Sequence, residues 1–176
     1  MIDQQQARRI YQNSVNNAQG QAFEGYIKAA CALYSTNGTA AVDKTPEPFR
    51  VTSKQRDGVF MGRFTALAQP DFQGTLHGGR SICFEAKYTT TDRLKRGVLT
   101  DTQMKTLALH DALGAVAGVC AGIGDKFYFI PWSAWRDMKE RYGRQYVTAA
   151  DIEPYRVRFT GAVMFLDYIH ERGADT

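Results

Sequence analysis

Residues 71–89, DFQGTLHGGRSICFEAKYT, constrain the fold more than any other stretch, because they read as two strands closed by one tight turn. Phe72 and Leu76 alternate with Asp71, Gln73 and Thr75; Ile82, Phe84 and Ala86 alternate with Ser81, Cys83, Glu85 and Lys87. His77-Gly78-Gly79 supplies the turn, since two glycines accept the positive φ angles that a tight hairpin needs. A turn centred on Gly78 places Asp71 directly opposite Glu85, with Lys87 on the same face two residues further on.

Two carboxylates facing each other repel unless something positive lies between them. A divalent cation is one candidate, because hard cations such as Mg²⁺ take oxygen ligands and often need only one or two carboxylates beside waters and phosphate oxygens. A lysine next to such a site can stabilise charge developing on a phosphate or orient an attacking water. The plainer alternative is a solvated polar face on a half-buried sheet. A short D…E-x-K pattern alone does not separate the two.

The rest of the chain supplies context. The polar opening, residues 1–18, reads as an N-terminal arm that is either frayed or a short helix. From Gln19 onward Phe23, Tyr26, Ile27, Ala30, Cys31 and Tyr34 recur at helical spacing, which predicts an amphipathic helix ending near Asn37-Gly38. Glu24 near its start either complements the helix dipole or faces the active centre. Ala40 to Val42 suits a short strand, and Pro46 and Pro48 then exclude helix or a central strand. Residues 49–69 carry Arg50, Lys54, Arg56 and Arg63 against Asp57, which predicts a basic excursion of two extended arms with its tip near 55–58.

Beyond the hairpin, Arg93, Lys95 and Arg96 crowd a segment read as a loop at the edge of the proposed metal centre. Thr100 and Asp101 look like the cap of a second helix, with Gln103 in its first turn, either solvated or reaching the metal or its water. Residues 115–123, AVAGVCAGI, predict a buried strand, and Lys126 to Ile130 a second. Ser133 is the expected cap of a helix carrying Trp135, Met138 and Tyr142, with both Trp132 and Trp135 as core residues. Val147-Thr148 opens a polar loop, Tyr155 to Phe159 reads as a strand, and Ala162 to Ile169 closes the chain as helix or strand.

Composition narrows the partners. A length of 176 residues suits one domain, 19–176, with a real core, and a formal net charge of +4 suits a nucleic-acid partner. Cys31, Cys83 and Cys120 are widely spaced with no C-x-x-C pair, which argues against a zinc site or disulfide framework and for buried thiols in the cytoplasm. No run resembles a signal peptide or is long enough to span a membrane.

Pro70-Asp71 followed by Glu85-Ala86-Lys87 resembles the PD-(D/E)xK nuclease signature. Together with Gly20 to Glu24, the Asn37-Gly38 helix end, Lys44-Thr45-Pro46-Glu47-Pro48, PDFQG and FEAKYT, it looks like the RecU-type Holliday junction resolvases over residues 20–130. The resemblance implies an α/β fold of the restriction-endonuclease type, with a mixed central sheet flanked by helices and a projecting basic stalk at 49–69. It implies a homodimeric endonuclease, dependent on Mg²⁺ or Mn²⁺, that resolves four-way junction DNA in a bacterial or phage-infected cell. Asp71 and Glu85 would bind the metal, Lys87 would stabilise the transition state, Gln103 would complete the metal site and Glu24 would join the catalytic set. Lys44, Arg50, Lys54, Arg56, Arg63, Arg93, Lys95 and Arg96 would contact DNA. Two departures stand out: Gln69-Pro70 replaces a family threonine before the aspartate, and Gln103 lacks the usual His-x-x-Gln setting. A generic PD-(D/E)xK nuclease and a non-catalytic junction-binding protein are the alternatives.

Overall fold

A computed structural model describes residues 4–46, 49–54, 60–64 and 69–172. Helix α1 (Gln4–Thr36) opens the chain and gives way at Gly38, whose φ of 72° suits a glycine after a helix end. Strands β1 (Ala40–Lys44), β2 (Phe49–Lys54) and β3 (Phe60–Phe64) follow, then the hairpin strands β4 (Phe72–Leu76) and β5 (Ser81–Thr89) and the short β6 (Arg93–Lys95). Next come α2 (Asp101–Ala112), β7 (Val116–Ile123), β8 (Lys126–Pro131), α3 (Trp132–Arg136), α4 (Met138–Tyr142), β9 (Tyr146–Thr148), β10 (Arg156–Val157) and α5 (Asp167–Arg172).

Six strands form one sheet in the order β1-β4-β5-β7-β8-β10, mixed because β5 and β7 run parallel while every other neighbour is antiparallel. The parallel pair requires a crossover, and α2 provides it. The hairpin adopts the expected register, with Phe72 opposite Phe84 and Gln73 opposite Cys83. Its turn relies on Gly78 and Gly79 at φ 86° and 89°, a region closed to most side chains.

Both faces of this sheet are covered, so the half-buried reading of β5 fails. On one face Phe23, Ile27, Ala30 and Tyr34 of α1 pack on Val42, Phe72, Ile82, Phe84 and Phe129, closed by Val163, Phe165 and Leu166. Phe84 sits at the centre, stacked on Phe72 at 5.2 Å between ring centroids and meeting Phe165 at 4.9 Å. On the other face Leu107 of α2 and Trp132, Trp135 and Met138 pack with Cys83, Val119 and Ile130. Burial of the three free cysteines agrees with the sequence reading.

Several local expectations are corrected. Of the two readings of the opening segment the helical one holds from Gln4, but that helix is continuous with the one expected from Gln19, so no boundary falls at residue 18. Ser133 caps nothing: Pro131 is the N-cap of α3, and Ser133 lies inside it, its carbonyl accepting from Asp137 N. The segment around Arg93 is not all loop, because β6 pairs antiparallel with β9, which takes up Val147 and Thr148. The strand expected from Tyr155 shrinks to β10, since Tyr155 ends a 3₁₀ turn, and the closing element resolves into a Phe159–Val163 bridge and α5.

The basic excursion contains a separate two-stranded sheet, β2 pairing antiparallel with β3. Its expected tip at 55–58, including Arg56, lies outside the described residues. Among the described residues no helix is long and apolar enough to cross a membrane.

Candidate active site

The hairpin carries its polar residues to the α2 side of the sheet. Asp71 stands just before β4, and its Oδ2 accepts from Ala86 N at 2.9 Å and from Lys87 Nζ at 3.3 Å. The same ammonium donates to Glu85 Oε2 at 3.1 Å, so Lys87 lies between the two carboxylates and offsets the repulsion that their register creates. Glu85 is only 1% exposed, while Lys87 and Asp71 keep 21% and 29% of their side-chain surface. The site is therefore floored by a buried carboxylate and opens past a partly exposed one.

Helix α2 contributes the fourth member. Thr100 caps it with a capping box: its hydroxyl accepts from Gln103 N, and Gln103 Oε1 accepts from Thr100 N at 3.0 Å. The cap fixes the Gln103 amide, whose Nε2 donates to Glu85 Oε2 at 2.5 Å. Its oxygen, the atom able to bind a metal, is thus engaged in the cap, and its nitrogen steadies Glu85.

Burial is the main force on Glu85, pushing its carboxyl up to about 7; the charge of Asp71 acts in the same direction and Lys87 opposes both. Between about 4.5 and about 7 the folded protein holds a proton that the unfolded chain has released, so metal-free stability falls as pH rises through that window. The contribution is roughly 3 kcal/mol, complete below the window and lost above it. Urea unfolding in EDTA across the window should show this decline, and Glu85→Gln should flatten it. Parallel curves for the two proteins would refute it.

The donor set favours a hard cation. Two carboxylate oxygens meeting beside an ammonium suit Mg²⁺ or Mn²⁺, which complete their shells with waters and phosphate oxygens. No group of three or more His, Cys, Asp or Glu side chains able to hold a metal occurs among the described residues.

Of the five expected catalytic residues the structure brings Asp71, Glu85, Lys87 and Gln103 together. The fifth, Glu24, forms an ion pair with Lys44, a residue paired with Phe72 and hence on the α1 side. That pair still lies at the strand end abutting Asp71, because Thr45 N donates to Asp71 O at 2.9 Å. Among the expected DNA contacts, Lys44 is thus held by Glu24. Arg93 binds Asp92 and lies over the Tyr146 ring, with Arg144 also over that ring. Lys95 is exposed at the end of β6, and Arg96, half-buried, begins the 3₁₀ turn that follows it. Arg50, Lys54 and Arg63 fall on β2 and β3. The β6–β9 pairing, which local sequence patterns do not reveal, is what brings Tyr146 and the nearby Arg144 beside Arg93.

The family model described as "RecU: Recombination protein U" matches residues 18–171. Among solved structures, the Holliday junction resolvase Hjc of the archaeal hyperthermophile Archaeoglobus fulgidus is similar at a TM-score of 0.46 and 13% identity, covering 81% of this chain and 97% of that one. No curated protein matches the chain.

Proposed function

The chain belongs to the recombination protein U (RecU) family of Holliday junction resolvases, endonucleases acting on four-way DNA junctions, and we propose that it cuts through a divalent cation, Mg²⁺ or in its place Mn²⁺, held by Asp71 and Glu85. The observation carrying this reading is the convergence of Asp71, Glu85, Lys87 and Gln103 from the two hairpin strands and one helix, with Glu85 buried at the base.

When bound, such a cation polarises the scissile phosphate and lowers the pKa of a coordinated water. The chain's own residues do the rest. Asp71 and Glu85 supply the negative charge that localises the cation. Lys87, free to shift one donor from the carboxylates to a phosphate oxygen, stabilises the charge that builds there as the phosphodiester breaks. Gln103 keeps Glu85 oriented through the rigid cap of α2, so it is assigned to positioning the ligand rather than to ligation. Because Glu85 holds a proton near neutrality, metal loading releases it and tightens as pH rises.

Arg93, Lys95 and Arg96, and the basic residues of 49–69, are assigned to phosphate contact, the latter as a stalk reaching the junction. A symmetric homodimer would present two such sites to the two-fold arrangement of a junction and make paired nicks. The place of action is the cytoplasm of a bacterial or phage-infected bacterial cell. The test compares Mg²⁺-dependent cutting of a synthetic four-way junction with that of a duplex of equal sequence. The junction should be cut at least about tenfold faster, a preference of about 1.4 kcal/mol in the transition state. Equal rates would contradict junction specificity.

A further inference from the structure

The strand pairing that shapes the site brings a third residue beside the two carboxylates. β1 and β4 are in register from Ala40 opposite Leu76 to Lys44 opposite Phe72. The next step sets Thr45 opposite Asp71, and the bond from Thr45 N to Asp71 O at 2.9 Å closes it. Directly opposed residues point to the same face with Cβ atoms about 5 Å apart. Thr45, Asp71 and Glu85 therefore form one row across three neighbouring strands. Pro46 reinforces this by holding Thr45 in the extended region.

A second observation points to a ligand. The Thr45 hydroxyl oxygen is buried and has no hydrogen-bond partner among the described residues. Buried hydroxyls are nearly always paired, so an unpaired one in a polar row asks what belongs beside it. The other buried atoms in that condition, on Gln19, Tyr128, Trp135 and Arg144, belong to none of the three strand positions in this row. Residue 70, immediately before Asp71, is a buried proline and offers no hydroxyl of its own.

We propose that Thr45 is a further positioning residue of this site, its hydroxyl hydrogen-bonding the hydration shell of the divalent cation beside Asp71. The inference rests on the reading of Asp71 and Glu85 as metal carboxylates. A cation that keeps several waters needs acceptors around them as well as direct ligands, because metal-bound water donates its hydrogens. The Thr45 hydroxyl oxygen supplies such an acceptor, on the side of Asp71 away from Glu85.

The test measures Mn²⁺ binding to the full chain without DNA, by the electron paramagnetic resonance of free Mn²⁺. Wild type, Thr45→Val, Thr45→Ser and Asp71→Asn are compared, with urea unfolding of each in EDTA. Thr45→Val should weaken Mn²⁺ binding roughly 10- to 100-fold. It should leave metal-free stability equal or higher, because an unpaired buried hydroxyl is removed. Thr45→Ser should bind within about threefold of wild type, since it keeps the hydroxyl. Wild-type affinity in Thr45→Val, with binding abolished in Asp71→Asn, overturns the role of Thr45 alone. Wild-type affinity in Asp71→Asn overturns the carboxylate reading and this inference with it. Should Thr45→Val fail to fold, Thr45→Ala carries the same comparison.

Discussion

Asp71→Asn is expected to slow Mg²⁺-dependent nicking of a four-way junction by about 10³-fold or more, a loss of about 4 kcal/mol in transition-state stabilisation. Junction binding in EDTA should stay within about threefold of wild type, since phosphate contacts carry that affinity. The substitution keeps the size of the side chain and one acceptor for Ala86 N, so the end of the hairpin has no reason to open. What it removes is the charge proposed, with that of Glu85, to localise the cation. A second signature accompanies the loss. The charge of Asp71 helps to hold the Glu85 carboxyl up near 7, so removing it lets Glu85 ionise at lower pH. The metal-free variant should therefore be more stable than wild type above neutrality while being nearly inactive. Activity equal to wild type would remove Asp71 from the mechanism. Loss of junction binding together with stability would place the residue in the fold instead.

Lys87→Met is expected to cost about 10²- to 10³-fold in cleavage rate at saturating metal, the usual loss when one preorganised donor to a developing charge is deleted. Methionine retains the unbranched stem, so packing changes little. The ammonium is the positive charge between Asp71 Oδ2 and Glu85 Oε2, and without it the two carboxylates face each other directly. The Glu85 pKa should then rise further, so that half-maximal Mg²⁺ and the acid limb of the pH–rate profile both move upward. Measuring cleavage against Mg²⁺ concentration at several pH values separates two roles. A rate deficit that persists at saturating Mg²⁺ assigns Lys87 to the reacting phosphate. A deficit that saturating Mg²⁺ erases limits Lys87 to screening the carboxylates.

The hairpin was legible in the sequence because its register depends on local features: alternation on two adjacent strands and a glycine pair that permits one turn. The cap of α2 was legible for the same reason, since Thr100 and Gln103 are three residues apart on one helix turn. Long-range pairings were not. Thr45 meets Asp71 only because β1 pairs with β4 across the whole 49–69 insertion, and no local pattern encodes that partner. Likewise β6 finds β9 some fifty residues later, which converts part of an expected basic loop into a braced edge with Arg93 and Arg144 over Tyr146.

Burial explains the remaining differences. Alternation on β5 suggested one wet face, yet Cys83 and Glu85 are covered by the α2 side while Ile82 and Phe84 are covered by α1. That coverage is what perturbs Glu85, so the property most relevant to metal binding was invisible to periodicity. Glu24 was placed near the carboxylates by resemblance. It pairs with Lys44, whose strand end adjoins Asp71. Ser133 failed as a cap because β8 runs directly into α3 through Pro131, leaving no turn for a serine to close.

If Asp71 and Glu85 hold the cation that makes this chain a nuclease, that ion should be visible between them. Anomalous diffraction from a crystal soaked in Mn²⁺, at a concentration that supports junction cleavage, tests it most directly. A manganese peak is expected between the two carboxylates, within ligand distance of both. A peak held by other residues, with none beside Asp71 and Glu85, would contradict it.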